Sequence, residues 1–431
     1  MKSRLLAAAL AALALLGPGR QPLAAEAETG RFTIAVLPDT QYYADYQRQR
    51  AEGFPFDAAE LLDQQTRFIA ENARSRGGDI VFTTSVGDLW QHATVPMDPG
   101  HAVRGLSAAP NPFLQKNFAP TSKVQSVEIP IVVKAFRSID GLMPFAVVPG
   151  NHDYDAMWTD SRYPPLEKVD PAVQRTLGVQ HVGGLTNFVA ASAFGSDSAF
   201  FAGKPWYVAS NDAGADSAQI FSAGGYRFLH IGLQFNPPES SLRWAQTVMR
   251  QYPGTPTILT THDYLSPKGE RLSDPAMDAR LVDPVDTSPQ MVWDQLISLN
   301  DQIFLVLCGH QYGQARREDR NAFGHQVDQI LSDYQERGQS AADAGAGDGR
   351  PVGIGDGWLR LMTFDMTGAV PTIHVRTYST FYGKDSKALP TYAQWYKPRE
   401  KPELSDEDFL AQDDFVIRLA DFRSRFDKSR R

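Results

Sequence analysis

The stretch "PFAVVPGNHD", residues 144–153, joins a short apolar run to a cluster of polar side chains. Proline and glycine bound the apolar part, which therefore predicts a buried strand. The polar part places Asn151, His152 and Asp153 directly after that strand. Gly150 permits the tight turn and close backbone approach that such a loop needs. Polar groups in this position are typical of a site at the carboxyl edge of a sheet.

The same pattern, an apolar run followed by polar residues, recurs along the chain. The further runs are "RFTIAVLPD" (31–39), "DIVFTTSVGD" (79–88), "GYRFLHIGLQ" (225–234), "TPTILTTHD" (255–263) and "IFLVLCGHQ" (303–311). Apolar residues at helical spacing lie between several of them, at 57–74, 240–251 and 288–299. Strands that alternate with helices predict an α/β fold whose reactive groups collect at the carboxyl ends of strands.

Five of the strand ends carry side chains that divalent metal ions prefer. These residues are Asp39, Asp88, Asn151, His262 and His310. Each is a weak signal alone, since a single histidine after a strand is more often a structural hydrogen-bonding group than a ligand. Together they supply the carboxylate, amide and imidazole donors of a divalent metal site.

In this order the motifs resemble those of the calcineurin-like metallophosphoesterases, over roughly residues 31–380. "PGNHD" is the most specific element, and "PDTQYY" (38–43) is similar to a secreted bacterial branch of that family. The resemblance implies two packed mixed β-sheets flanked by helices, an α/β/β/α sandwich. It also implies two divalent metal ions (Mn, Fe, Zn or Mg) and assigns roles to the motif residues. Asp88 would bridge the ions. Asn151, His262 and His310 would complete one site, and Asp39 would ligate the other ion with help from the positions of Gln41 and Tyr312. His152 would be the outer-sphere acid, and Asp153 would orient His152.

The sequence departs from the family pattern at two positions. Gln41 replaces the usual histidine of the first motif, and Tyr312 replaces the second histidine of the last motif. Both changes fall on the same inferred ion, whose site would become oxygen-rich and bind more weakly. Gln91 is a further candidate oxygen donor, and His92 is a candidate substrate contact.

These residue types suit the hydrolysis of phosphate mono- or diesters of small molecules. Two cations lower the pKa of a shared water and hold the phosphoryl oxygens, so that a metal-bound hydroxide serves as nucleophile. An imidazole near the leaving oxygen donates a proton close to neutral pH. Two alternatives stay open: a degenerate family member that binds metal or a phosphorylated ligand without turnover, and a cell-envelope interaction protein that works through its loops and tail.

The start of the chain and its composition limit the cellular location and the classes of partner that are expected. Residues 1–27 combine Lys2 and Arg4 with an apolar run and small residues, which predicts a secretory signal peptide and a secreted or periplasmic protein; a retained anchor helix is the alternative. No later stretch is long and apolar enough to cross a membrane. Net charge is −8, and no basic cluster precedes the C-terminal tail, so no nucleic-acid surface is indicated. Cys308 is the only cysteine, which excludes an intramolecular disulfide, and its apolar surroundings predict a core position.

The expected domain organisation is a metallophosphoesterase domain at residues 31–385, followed by a charged C-terminal tail at 386–431 with a short element around "FVIRL". Two insertions, near 93–130 and 155–222, interrupt the alternation of strands and helices. They either wall the active site or elaborate the surface.

Overall fold

A computed structural model of the protein describes residues 30–170, 173–278, 281, 283, 285–347 and 352–427. The predicted signal peptide at 1–27 lies outside them. None of the helices within this part of the chain is long and apolar enough to cross a membrane.

The strands and helices alternate over much of the chain. In chain order the strands are β1 (Arg31–Leu37), β2 (Ile80–Ser85), β3 (Ala108–Ala109), β4 (Phe145–Val147), β5 (Ala156–Asp160), β6 (Gln180–Gly183), β7 (Tyr207–Asn211), β8 (Asp216–Ala223), β9 (Tyr226–Gly232), β10 (Thr257–Asp263), β11 (Ile303–Gly309), β12 (Gly313–Arg320), β13 (Gln326–Asp333), β14 (Trp358–Asp365), β15 (Thr372–Ser379), β16 (Lys384–Asp385) and β17 (Asp414–Arg418). The described helices are α1 (Gln41–Ala44), α2 (Ala59–Glu71), α3 (Pro99–Val103), α4 (Pro112–Asn117), α5 (Ile129–Phe136), α6 (Glu239–Gln251), α7 (Pro289–Val292), α8 (Gln339–Asp343), α9 (Tyr392–Glu400), α10 (Asp406–Ala411) and α11 (Phe422–Phe426).

Two seven-stranded mixed sheets form the centre of the molecule. The first has the order β16-β15-β14-β1-β2-β4, with β17 also paired to β15. The second has the order β12-β13-β11-β10-β9-β8-β7. Strands β1, β2 and β4 are parallel in the first sheet, and β9, β10, β11 and β13 are parallel in the second. The carboxyl ends of parallel strands share one edge of their sheet, so the loops that follow them can meet.

Aromatic side chains fill the space between the two sheets. Phe32 stacks on Phe364 within the first sheet at a ring distance of 4.7 Å, and Phe82 stacks across on Phe221 of the second sheet at 4.6 Å. All four are buried in one cluster. Burying a phenylalanine side chain contributes about 1.5–3 kcal/mol, so this layer is a main source of stability.

Helices cover both outer faces of the sandwich. Helices α2 and α5 bury Leu62, Ile69 and Phe136 against the first sheet, whereas α6 and α7 pack Leu242 and Val292 against the second. The spacing of these apolar residues gives each helix one buried stripe. This α/β/β/α layering confirms the predicted fold class.

The segment predicted to be a charged tail differs from that expectation, because residues 386–427 belong to the sandwich. Strand β17 pairs antiparallel with β15, and Phe422 and Phe426 enter the core between the sheets. Charged residues dominate the composition of this segment, although Asp413 and Lys401 among them are buried. The fewer apolar residues, among them Ile417, Phe422 and Phe426, decide its packing and are hidden in the composition by these charges.

Candidate metal centre

The predicted ligands collect at the shared carboxyl edge of the parallel strands. Asp88, His262 and His310 offer ligand atoms that all lie within 4.8 Å of one another. His262 Nε2 lies 3.2 Å from Asp88 Oδ1 and 3.0 Å from Asn151 Oδ1. The structure therefore brings together the four residues expected to share one ion.

Asp39 borders this cluster and carries a buried atom without a protein partner. Its Oδ1 accepts a hydrogen bond from the backbone nitrogen of His310 at 3.0 Å and lies 3.7 Å from His262 Nδ1. Within the described chain, Oδ2 of Asp39 and Nε2 of His310 are buried and have no hydrogen-bond partner. Because buried polar atoms in proteins are nearly always paired, two such atoms without a hydrogen bond are candidates to bind a cation.

Gln41 reaches the same cluster from the start of α1. Its Nε2 donates to Asp88 Oδ2 at 3.1 Å and also contacts Oε1 of Gln335 closely. The Oε1 of Gln41 is buried with no partner among the described residues. The residue that replaces the expected histidine is thus in direct contact with the carboxylate predicted to bridge two ions.

Glycines and unusual backbone angles hold the loops close together. A Cβ on Gly87 would lie 2.6 Å from His262 Nδ1 and 2.7 Å from the nitrogen of Gly150, and both distances are too short for real atoms. Asp88 and His310 have φ values of 53° and 72°, a left-handed conformation that is rare outside glycine. Such strain, held in place by surrounding structure, concentrates at functional sites.

The charges in the cluster are strongly coupled. Burial opposes ionisation of Asp88, but His262 and His152 lower its pKa below the usual range. Burial would lower the pKa of His262, yet Asp88 and Asp39 raise it to about 10, so the imidazole holds a proton in the protein alone. Burial and His262 lower the pKa of His310 to about 4, which keeps its ring neutral. Since an imidazole must be neutral to bind a metal, an ion here would displace the proton of His262.

His152 and Asp153 have different surroundings from those expected. The ring of His152 is fixed by a 2.7 Å hydrogen bond between Nδ1 and the carbonyl oxygen of Gln91, and Nε2 lies 4.0 Å from Asp88 Oδ2. Asp153 accepts hydrogen bonds from the backbone nitrogens of Leu89 and Gly150, both at 2.8 Å. Asp153 therefore joins two ligand loops, and the predicted role of orienting His152 belongs to Gln91.

Tyr312 and His92 differ from the buried donors in their surroundings. Tyr312 is 41% exposed at the rim of the adjoining cavity. His92 is 1% exposed, and its Nδ1 is 2.8 Å from Glu128 Oε1, so it anchors a loop instead of facing substrate. Gln91 does line the cavity, and its Oε1 is buried without a partner in the described structure.

Asp333 is a cluster residue that sequence reasoning missed. It ends β13, is 1% exposed, and its Oδ2 has no hydrogen-bond partner in the described part of the chain. Burial raises the pKa of Asp39 well above its usual value, and the charge of Asp333 raises it further. The run "QVDQILSD" (326–333) ends in a carboxylate, as the runs to Asp39 and Asp88 do, but more than half of its residues are polar and hide the apolar pattern of a buried strand.

A cavity of about 780 Å³ opens over the cluster. Its floor includes Asp88, Asn151, His152 and His310. Both insertions contribute to its walls, through Phe113, Asn117 and Phe118 from the first and Met157, Leu177 and Gln180 from the second. Helix α9, in the C-terminal part of the chain, adds Trp395, Tyr396, Arg399 and Glu400. Parts of the insertions therefore line the candidate site.

Comparison with known proteins adds one distant relative. No family model matches the chain. It is 24% identical over 366 residues to the uncharacterized protein YvnB of Bacillus subtilis (strain 168), an alignment that covers 84% of this chain and 21% of that protein. The chain thus spans about a fifth of the length of this relative.

Proposed function

We propose that this protein is a metal-dependent hydrolase of phosphate mono- or diesters. The observation that carries the proposal is the convergence of ligand atoms of Asp88, His262 and His310 within 4.8 Å of one another, beside buried donor atoms that lack partners among the described residues. This donor set fits divalent metal ions: Asp88, Asn151, His262 and His310 would hold one, and Asp39, Gln41 and Asp88 a second, more weakly bound one. Such ions, when bound, would acidify a water molecule and balance the charge of the phosphoryl oxygens.

His152 is the proposed proton donor. The Gln91 carbonyl accepts from Nδ1, which leaves Nε2 available at the cavity floor. A protonated ring can therefore give its Nε2 proton to a leaving oxygen without losing its orientation. The edge of the ring also meets Phe118 at a centroid distance of 5.0 Å, which limits its rotation.

The cavity suits a small phosphate ester. Tyr42, Phe118 and Trp395 offer apolar surface for an organic group, while Arg48 and Arg399, which also pair with Asp45 and Glu336, add positive charge to the wall. Small-molecule sites combine mostly apolar walls with a few polar groups in this way. From the signal-peptide pattern of residues 1–27, we propose that the protein is secreted or periplasmic.

The test is hydrolysis of p-nitrophenyl phosphate and bis(p-nitrophenyl) phosphate by the purified protein. We expect activity that a chelator removes and Mn²⁺ restores. His262→Ala should be inactive and deficient in metal, whereas His374→Ala, which changes a partly exposed histidine on β15, should match the wild type. Metal-loaded protein that hydrolyses neither ester would overturn the proposal and favour a protein that binds metal or a phosphorylated ligand without turnover.

A further inference from the structure

If the protein uses two metal ions as in the function proposed above, the second ion has too few ligands among the residues expected to hold it. Gln41 supplies a neutral amide, and Tyr312 lies at the exposed rim. Asp39 and the shared Asp88 would then be its only charged ligands. A divalent cation in proteins usually takes at least four donors, and hard cations take six or more.

Asp333 is the candidate for the missing ligand. Strand β13 runs parallel to β11, which leads into His310, and its register with β12 sets Asp333 opposite Gly313, the residue after Tyr312. The carboxylate of Asp333 interacts electrostatically with Asp39 and Asp88. Its Oδ1 accepts from the backbone nitrogen of Gln335 at 3.0 Å, which fixes the side chain, whereas Oδ2 is buried without a partner in the described structure.

Gln335 connects Asp333 to the rest of the cluster. Its Oε1 contacts the Nε2 of Gln41, and that same nitrogen donates to Asp88 Oδ2 at 3.1 Å. Both glutamine side chains are buried, and their contact places the two amide groups side by side. A half-turn about the last torsion of the Gln41 side chain would exchange its nitrogen and its unpartnered oxygen, which would then face a cation.

Burial makes this arrangement costly without a cation. Asp39, Asp88 and Asp333 are each nearly inaccessible to solvent, and a buried carboxylate is unfavourable unless it is paired or binds a cation. Since His262 already pairs with Asp88, the protein's own charges do not compensate all three.

We propose that Asp333, supported by the Gln335 amide, ligates the second metal ion in place of the expected imidazoles. Together with Asp39, Asp88 and Gln41 it makes a site of oxygen donors only. Such a site suits Mn²⁺ or Mg²⁺ and favours Zn²⁺ less than a site with imidazoles does, because Zn²⁺ gains most from nitrogen and sulfur ligands. The two halves of the centre would then differ in metal preference.

The proposal can be tested by titrating Mn²⁺ into metal-free protein, with calorimetry and electron paramagnetic resonance as readouts. Wild type should bind two ions and show the spectrum of a spin-coupled pair. Asp333→Asn should lose at least 10-fold in affinity for the weaker ion and show an isolated-ion spectrum, while the tighter ion stays. The matched control is Asp328→Asn, which changes a buried carboxylate on the same strand that pairs with Arg316. Identical isotherms for the two variants and the wild type would overturn the proposal.

A second measurement needs no variant. In wild type, the preference for Zn²⁺ over Mn²⁺ should be smaller at the weaker site than at the site with two imidazoles, and an equal or larger preference there would also overturn the assignment of Asp333. These readouts do not depend on turnover. A protein that binds two Mn²⁺ ions through Asp333 but hydrolyses no ester would refute the proposed function alone.

Discussion

Gln41 donates a hydrogen bond through Nε2 to Oδ2 of Asp88 over 3.1 Å. The replacement of the expected histidine has therefore kept a side chain in contact with the central carboxylate. Gln41 also retains a buried oxygen without a partner in the described structure. The change therefore replaces an imidazole nitrogen with an amide oxygen as the available metal donor.

Replacing Gln41 tests that interpretation. Gln41→Ala should weaken the second ion by about 10-fold, in the range seen when one supporting group of a metal site is removed. The loss should be smaller than for His262→Ala, because Asp39 and Asp88 remain. Gln41→His should tighten binding of Zn²⁺, since it restores an imidazole. Calorimetric titration measures each effect, and an unchanged isotherm for Gln41→Ala would show that Gln41 does not contact the ion.

Removing the imidazole of His152 should impair chemistry and spare the metal. We expect His152→Ala to lower kcat by about 10²–10⁴-fold, the usual contribution of a positioned proton donor. Metal content by mass spectrometry should equal that of the wild type, because the side chain of His152 is not among the proposed ligands. Loss of metal, or full activity, would contradict this role.

Acid should destabilise the protein through His230. Burial lowers the pKa of His230 to about 3, and its ring is held between Gln219 and Thr260 by hydrogen bonds of 2.9 and 2.8 Å. The unfolded chain, with a pKa of about 6.5, binds the proton first, so the free energy of unfolding falls as pH drops from about 6.5 towards 3. Each pH unit costs at most about 1.4 kcal/mol.

The variant His230→Gln isolates that contribution. Its urea midpoint should depend less on pH than that of the wild type over this range, because the titrating group is gone. Equal slopes for both proteins would mean that other groups control acid unfolding.

The only thiol should be unreactive in the native protein. Cys308 is fully buried in β11, and burial raises the pKa of its thiol well above the usual value. Because the thiolate is the reactive form, iodoacetamide should leave the native protein unmodified and label it fully in urea. Native labelling at the rate of the unfolded chain would place Cys308 outside the core.

The C-terminal segment should contribute to stability. Phe422 packs against Tyr226 and Phe304 at ring distances of 5.2 Å each. Phe422→Ala should lower the free energy of unfolding by about 3–5 kcal/mol, as large deletions in cores do. Val416→Ala, at a side chain 53% exposed on β17, is the control and should cost under about 1 kcal/mol. Equal effects would support a dispensable tail.

The sequence was most informative where local pattern and spatial position coincide. Runs that end at Asp88, Asn151 or His310 carry a glycine at the turn, so both the strand and the ligand after it could be predicted. Asp333 has no such marker, and its partners lie far away in the chain. The role of Asp153 was wrong for a related reason: adjacency to His152 does not reveal that its oxygens reach Leu89 and Gly150.

The placement of β1 has a consequence for how the protein is made. Strand β1 lies inside the first sheet between β2 and β14, and Arg31 bonds to Asp365, 334 residues further along the chain. A ribosome that adds about 5–20 residues per second needs on the order of half a minute to supply that partner. Throughout that time an apolar strand has one open edge, which is a template for aggregation. The nascent chain should therefore depend on chaperones until translation has passed β14.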